Sequence, residues 1–177
     1  MKRDKGVQAT ARFDALKLAD AGATLEGEVD PGQLPRLTDR VVPVANAPRI
    51  AWRIVGGHDD LGHPLLKLSL DGKAFMTCQR CLLSFAVPVA QETVLLLARD
   101  ERELVRLDAE EPEVVLADKP LEPSALIEDE LLLSLPFAPR HAAAECPADA
   151  LASAVTAAAE KPFAQLAGLK ARQQAKN

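Results

Sequence analysis

Three stretches between residues 50 and 98 carry apolar side chains at every second position, a period that suits a strand with one buried face and does not suit a helix. Ile50, Trp52 and Ile54 alternate with Ala51, Arg53 and Val55 up to Gly56-Gly57. After the polar link His58-Asp59-Asp60, Leu66, Leu68 and Leu70 alternate with Lys67 and Ser69. Asp71-Gly72 is a pair that two-residue hairpin turns favour, because their central residues need positive φ. The sequence therefore predicts a hairpin there and a return strand over residues 73–77 that delivers Cys78 at its end. Residues 85–98, with Val87, Val89, Val94 and the run Leu95-Leu96-Leu97, make a fourth strand in which Pro88 is tolerable at an edge. The expectation is a small antiparallel meander, open or barrel-like, over residues 42–98.

The flanks suggest how the sheet is covered. Residues 113–116 can add a short strand. Pro120 and Pro123 sit where a helix can begin, since a missing N–H costs little in its first turn, and Ser124 is available as an N-cap. A helix over residues 124–135, stopped by Pro136, places Ile127, Leu131 and Leu135 one turn apart on one face; Leu126, Leu132 and Leu133 widen it, and Glu128-Asp129-Glu130 put negative charge near its positive end. This one amphipathic helix is expected to close the sheet, giving an α+β fold. Residues 1–41, broken by Asp30-Pro31-Gly32 and Leu34-Pro35, read as an irregular arm with one short helix at most. Residues 147–177, rich in Ala, Lys and Gln, read as a flexible or weakly helical tail.

The chemistry-bearing residues are few. Cys78-Gln79-Arg80-Cys81 is a C-x-x-C pair, a spacing that lets two thiolates face one tetrahedral ion at about 2.3 Å. Another soft-ligand cluster, His141 with Cys146, follows the helix and its Pro136-Phe137-Ala138-Pro139 exit. Cys78, Cys81, His141 and Cys146 would together make a Cys₃His zinc set, provided the fold brings the two halves together. Two other readings stand beside it: small apolar residues at a strand end, and a redox pair, which would need one thiol at a helix start where the dipole lowers its pKa. Residues 82–89 read as extended, which weighs against the redox pair. His58 and His63, in a Gly-flanked link, read as turn residues. No Gly-rich phosphate loop, G-x-S-x-G elbow or H-E-x-x-H helix is present, so the chain is not expected to be an enzyme.

Charge narrows the partners. The net charge is −5, and residues 100–139 alone contribute −9, against +2 for residues 1–53, zero for 54–99 and +2 for 140–177. Asp100, Glu101, Glu103, Asp108, Glu110, Glu111 and Glu113 read as a solvated acidic loop over residues 99–112, or as a surface for a basic partner. One Trp, five Phe and no Tyr leave little for a base-stacking platform, so a generic polyanion binder is not expected. No apolar run is long enough to span a membrane, nor does a signal-type stretch follow Met1, and three cysteines do not make a disulfide framework. A cytoplasmic protein without membrane partners is the expectation.

Three stretches in one order carry a resemblance: Cys78-Gln79-Arg80-Cys81 leaving a strand; Glu128-Asp129-Glu130-Leu131-Leu132-Leu133-Ser134-Leu135-Pro136 leading to Pro139, His141 and Cys146; and Pro162-Phe163-Ala164-Gln165-Leu166-Ala167-Gly168-Leu169-Lys170. With these the chain resembles the bacterial YceD family, the large ribosomal RNA subunit accumulation proteins, whose relatives also occur in plastids. The resemblance implies one such domain over residues 1–146, with a Cys/His loop at 137–146. It also implies a non-enzymatic role in synthesis, processing or stability of 23S ribosomal RNA and in large-subunit accumulation. Two routes to that role are open. Basic residues such as Arg36, Arg40, Arg49, Arg53, Lys67, Lys73 and Arg80 could touch RNA directly, several from one sheet face. Alternatively, segment 100–113 could hold a basic ribosomal protein or processing factor. A metal or redox protein resting on Cys78 and Cys81 is a third reading.

Overall fold

In the computed structural model, which describes residues 9–108, 113–142 and 145–147, the alternating stretches form one five-stranded sheet in sequential order. Its strands are β1 (Thr24–Val29), β2 (Ile50–His58), β3 (Pro64–Thr77), β4 (Ser84–Ala98) and β5 (Glu113–Leu116). β1 to β4 are antiparallel neighbours, whereas β5 runs parallel to β4, so the sheet is mixed; β1 and β5 are its two edges and it does not close into a barrel. The hairpin expected at Asp71-Gly72 does not form. β3 continues straight through it, because β4 offers a partner for every residue from Leu65 to Thr77, and Asp71 pairs with both Ala51 and Ala90. Gly72 is nearly extended, at φ 157°, and its missing side chain serves close approach. A Cβ there would lie 3.0 Å from the Cα of Ile50, where the chain enters β2. The hairpin turn lies instead between Cys78 and Leu83.

One face of the sheet is covered by several layers of chain rather than by one helix. Ile50, Trp52, Ile54, Leu66, Leu68, Leu70, Val89, Leu95 and Leu97 point into a core shared with Ala15 and Ala19, Leu34, Leu37, and Ile127, Leu131 and Leu135. Ala15 and Ala19 belong to α1 (Ala15–Ala21), which the Asp14 carboxylate caps by accepting the Lys17 N–H and which Gly22 ends at φ 56°. Gly56 is what lets α1 sit down on β2, since a Cβ there would meet the carbonyl oxygen of Leu18 at 2.2 Å. Residues 1–41 were expected to hold one short helix at most. Among the described residues they hold that helix, two 3-10 turns (Pro31–Gln33 and Pro35–Leu37) and the edge strand β1. The weak alternation of Leu25, Gly27 and Val29 had concealed that strand.

The acidic stretch is likewise more ordered than its charge suggested. Asp100 accepts the N–H groups of Arg102 and Glu103, starting α2 (Glu101–Asp108), and Leu107 packs with Leu65, Leu96 and Ala98 on the face opposite the main core. This explains the unbroken Leu95-Leu96-Leu97 run: that end of β4 is buried on both faces. The β4–α2–β5 crossover is also what makes β5 parallel. Residues 109–112 of the expected acidic loop, and the expected tail from residue 148 on, lie outside the described residues.

α3 (Pro123–Ser134) buries Ile127 and Leu131, and Leu135 at its C-cap, as expected, and stops before Pro136. Its cap is Glu122 with Pro123 in the first turn, not Ser124, whose N–H donates to the carbonyl of Ala9. Glu128 and Glu130 are buried, and the Glu128 carboxylate accepts the backbone N–H of Arg36.

Candidate metal centre

The turn joining β3 to β4 is built on its two cysteines. Cys78 donates its N–H to the carbonyl of Leu83 and accepts the Leu82 N–H, both at 2.9 Å, and Leu82 closes the loop in the left-handed region at φ 61°. The Arg80 N–H faces Cys78 Sγ at 3.4 Å, as backbone donors do around thiolate ligands. α3 ends at Leu135, and the segment beyond it is laid along this turn. Gln79 donates its N–H to the carbonyl of Pro139 at 2.9 Å, and the Arg80 guanidinium donates to the carbonyl of His141 at 3.1 Å. Phe85 at the start of β4 lies against the His141 ring, with centroids 4.4 Å apart.

These contacts bring together all four residues singled out from the sequence. Cys78 Sγ is 3.9 Å from Cys146 Sγ, Cys81 Sγ is 3.4 Å from His141 Nδ1, and the four ligand atoms lie within 4.8 Å of one another. A tetrahedral ion with Zn–S bonds of about 2.3 Å sets its sulfurs about 3.8 Å apart, so the spread of these atoms fits zinc. Cys78 and Cys146 are buried and Cys81 and His141 half-buried, with no disulfide among the three cysteines.

The electrostatics suit a cation. Burial opposes a thiolate at Cys78, yet N–H groups of Cys81, Arg80 and His141, with the His141 ring, outweigh it and hold its pKa at about 5. Cys81 is pushed the other way, by burial first and then by the sulfurs of Cys78 and Cys146. Burial and the neighbouring sulfurs oppose ionising Cys81, an opposition that a cation would relieve. The redox reading lacks its helix: β4, not a helix, follows Cys81.

The remaining candidates do not converge. Arg53, Lys67 and Lys73 do share the open sheet face, but Arg53 pairs with Glu26 at 2.9 Å, and Glu28, Asp71 and Glu92 stand on the same face. Arg36 is paired with Asp129, Arg40 donates to the carbonyl of Leu132, and Arg49 lies exposed ahead of β2. The acidity of residues 100–139 is dispersed in the same way. Glu103 binds Arg99 and Arg106, Glu122 binds Arg12, and Glu128 and Glu130 are internal. His63 is held by Asp59 at 2.9 Å within its turn and His58 faces Asp20 at 3.3 Å, consistent with structural roles. The reading by residue type passed over Phe85 and Leu82. A leucine in positive φ leaves no composition signal, and an aromatic on a strand reads as core.

A family model described as large ribosomal RNA subunit accumulation protein YceD matches residues 66–170, more than half of the chain and all four residues of the cluster. No curated protein and no solved structure matches it.

Proposed function

The chain belongs to the YceD family, and from that membership we propose that it is a non-enzymatic, cytoplasmic ribosome-biogenesis factor that supports synthesis, processing or stability of 23S ribosomal RNA, with Cys78, Cys81, His141 and Cys146 holding one structural zinc ion. The observation that carries the first half is the family match, which runs from β3 through the metal cluster. The second half rests on donor chemistry. Four protein ligands fill a tetrahedral zinc and leave no open position for a substrate, which separates structural from catalytic sites. Bound there, zinc supplies a cross-link between the β3–β4 turn and the segment after α3. The chain's own N–H groups stabilise the thiolates, and Phe85 orients the imidazole. No helix of the described residues is long and apolar enough to cross a membrane.

Depleting the protein in its own cells and measuring ribosomal RNA tests the role. The expected result is a fall of 23S relative to 16S ribosomal RNA and of large relative to small subunits, restored by the wild-type chain. Unchanged ratios after depletion would overturn it. The reading in which residues 100–113 hold a basic ribosomal protein keeps Glu101, Asp108 and Glu113 among the described residues, whereas Asp100 caps α2 and Glu103 is paired with Arg99 and Arg106.

A further inference from the structure

We infer that the end of the molecule around the metal cluster is a contact surface for unpaired RNA, with Phe137 as a stacking platform and Arg140 and Arg40 as its charges; this rests on the ribosomal reading above. Of the eight exposed large apolar side chains among the described residues, four belong to this end: Leu82 and Leu83 on the hairpin turn, Leu133 and Phe137 at the exit of α3. Scattered single exposures need no explanation, but a group of them does. Phe137 is 89% exposed although it sits in a stiff frame, between Pro136 and the buried Pro139, whose carbonyl is tied to the turn by Gln79. One face of its ring is taken by the Arg40 guanidinium, 5.6 Å from the centroid, and Arg40 is itself anchored on the carbonyl of Leu132. A ring backed by a cation and otherwise open is suited to a nucleobase.

Charge chooses RNA over a basic protein. From Pro136 to Cys146 the chain carries Arg140 and a single carboxylate, Glu145, and Arg80 and Arg40 flank it. α2, with three carboxylates and two arginines, packs at the far end of β3, by Leu65, roughly 40 Å away at about 3.3 Å per residue. Phosphates are thus drawn to the end that carries Arg40, Arg80 and Arg140. Unpaired rather than duplex RNA follows from the ring, because bases in a duplex hide their faces.

The test uses the full-length, zinc-loaded protein and a fluorescein-labelled unstructured oligoribonucleotide, with the same sequence in duplex as competitor. Phe137→Ala should weaken binding of the unpaired strand by about 5- to 150-fold, the range for losing one stacked base. Arg140→Ala should lower the slope of log affinity against log salt by about 0.7. Arg53→Ala and Lys67→Ala, on the open sheet face, should change neither. Both key side chains are exposed, and unchanged emission from Trp52 confirms that each variant is folded. Wild-type affinity in Phe137→Ala and Arg140→Ala, equal loss in the sheet-face variants, or no binding by the wild type overturns the inference. So does loss of a basic ribosomal protein, and not of RNA, on these substitutions. The depletion experiment reads out separately: a fall of 23S ribosomal RNA without binding of unpaired RNA sinks this surface alone.

Discussion

Cys78 is fully buried, and its sulfur collects N–H groups from its own turn, so Cys78→Ser removes a thiol of the cluster that nothing nearby replaces. The expected outcome is loss of bound zinc, measured by metal analysis, together with a lower unfolding midpoint. Trp52, the sole tryptophan, is 2% exposed and reports that midpoint through its emission. The pH dependence follows from the thiols, which must all be deprotonated to hold zinc. Cys78, at about 5, is already ionised at neutral pH. Cys81 is raised above its ordinary value, so its proton must leave when zinc binds. Zinc affinity should therefore rise with pH through the neutral range, by about tenfold per pH unit for each proton released, and fall on acidification. A chelator competition that shows a flat profile would refute this assignment of protons. The ligand types were legible in the sequence as C-x-x-C and His141 with Cys146. Their adjacency was not, because it depends on a turn closed by Leu82 and on backbone bonds from Gln79 and Arg80, none of which leaves a pattern of its own.

At the scale of elements, the helices are held by contacts that single substitutions can break. Ile127→Ala or Leu131→Ala, each fully buried in α3, should cost about 2 to 5 kcal/mol in denaturant unfolding. Gly56→Ala tests the seat of α1. Its Cβ would collide with backbone rather than with a yielding side chain, so the helix must lift, at a cost of about 1 to 3 kcal/mol or more. A neutral outcome there would mean that α1 does not pack on β2 as described. α3 and the strands β2 and β4 could be read from their apolar periods. β1 could not, since an edge strand with Gly27 at its centre carries little side-chain signal, and α2 could not, since its carboxylates masked the single-turn spacing of Leu104 and Leu107. Asp71-Gly72 shows the reverse failure. Local turn chemistry was correct for a hairpin, but thirteen consecutive pairs between β3 and β4 overrode it.

For the whole molecule, the four-residue cluster joins two parts of the chain some sixty residues apart as a clasp would: the tip of the β3–β4 hairpin and the segment that leaves α3. Both halves of the clasp lie within the stretch matched by the family model. Removing zinc should accordingly loosen the segment around His141 and Cys146 while leaving the sheet intact, because the core of Ile50, Ile54, Leu68, Leu97 and Ile127 is built without it. Hydrogen exchange with and without chelator would show faster exchange at Gln79, whose N–H is bonded to Pro139, and unchanged protection in β2 and β3. The most direct test is native mass spectrometry of the full chain purified without chelators. One zinc ion per chain is expected, displacing thiol protons while His141 binds as neutral imidazole, and the bare mass is expected for Cys78→Ser and Cys146→Ser. A folded wild-type chain at its metal-free mass, in zinc-replete buffer, would contradict it.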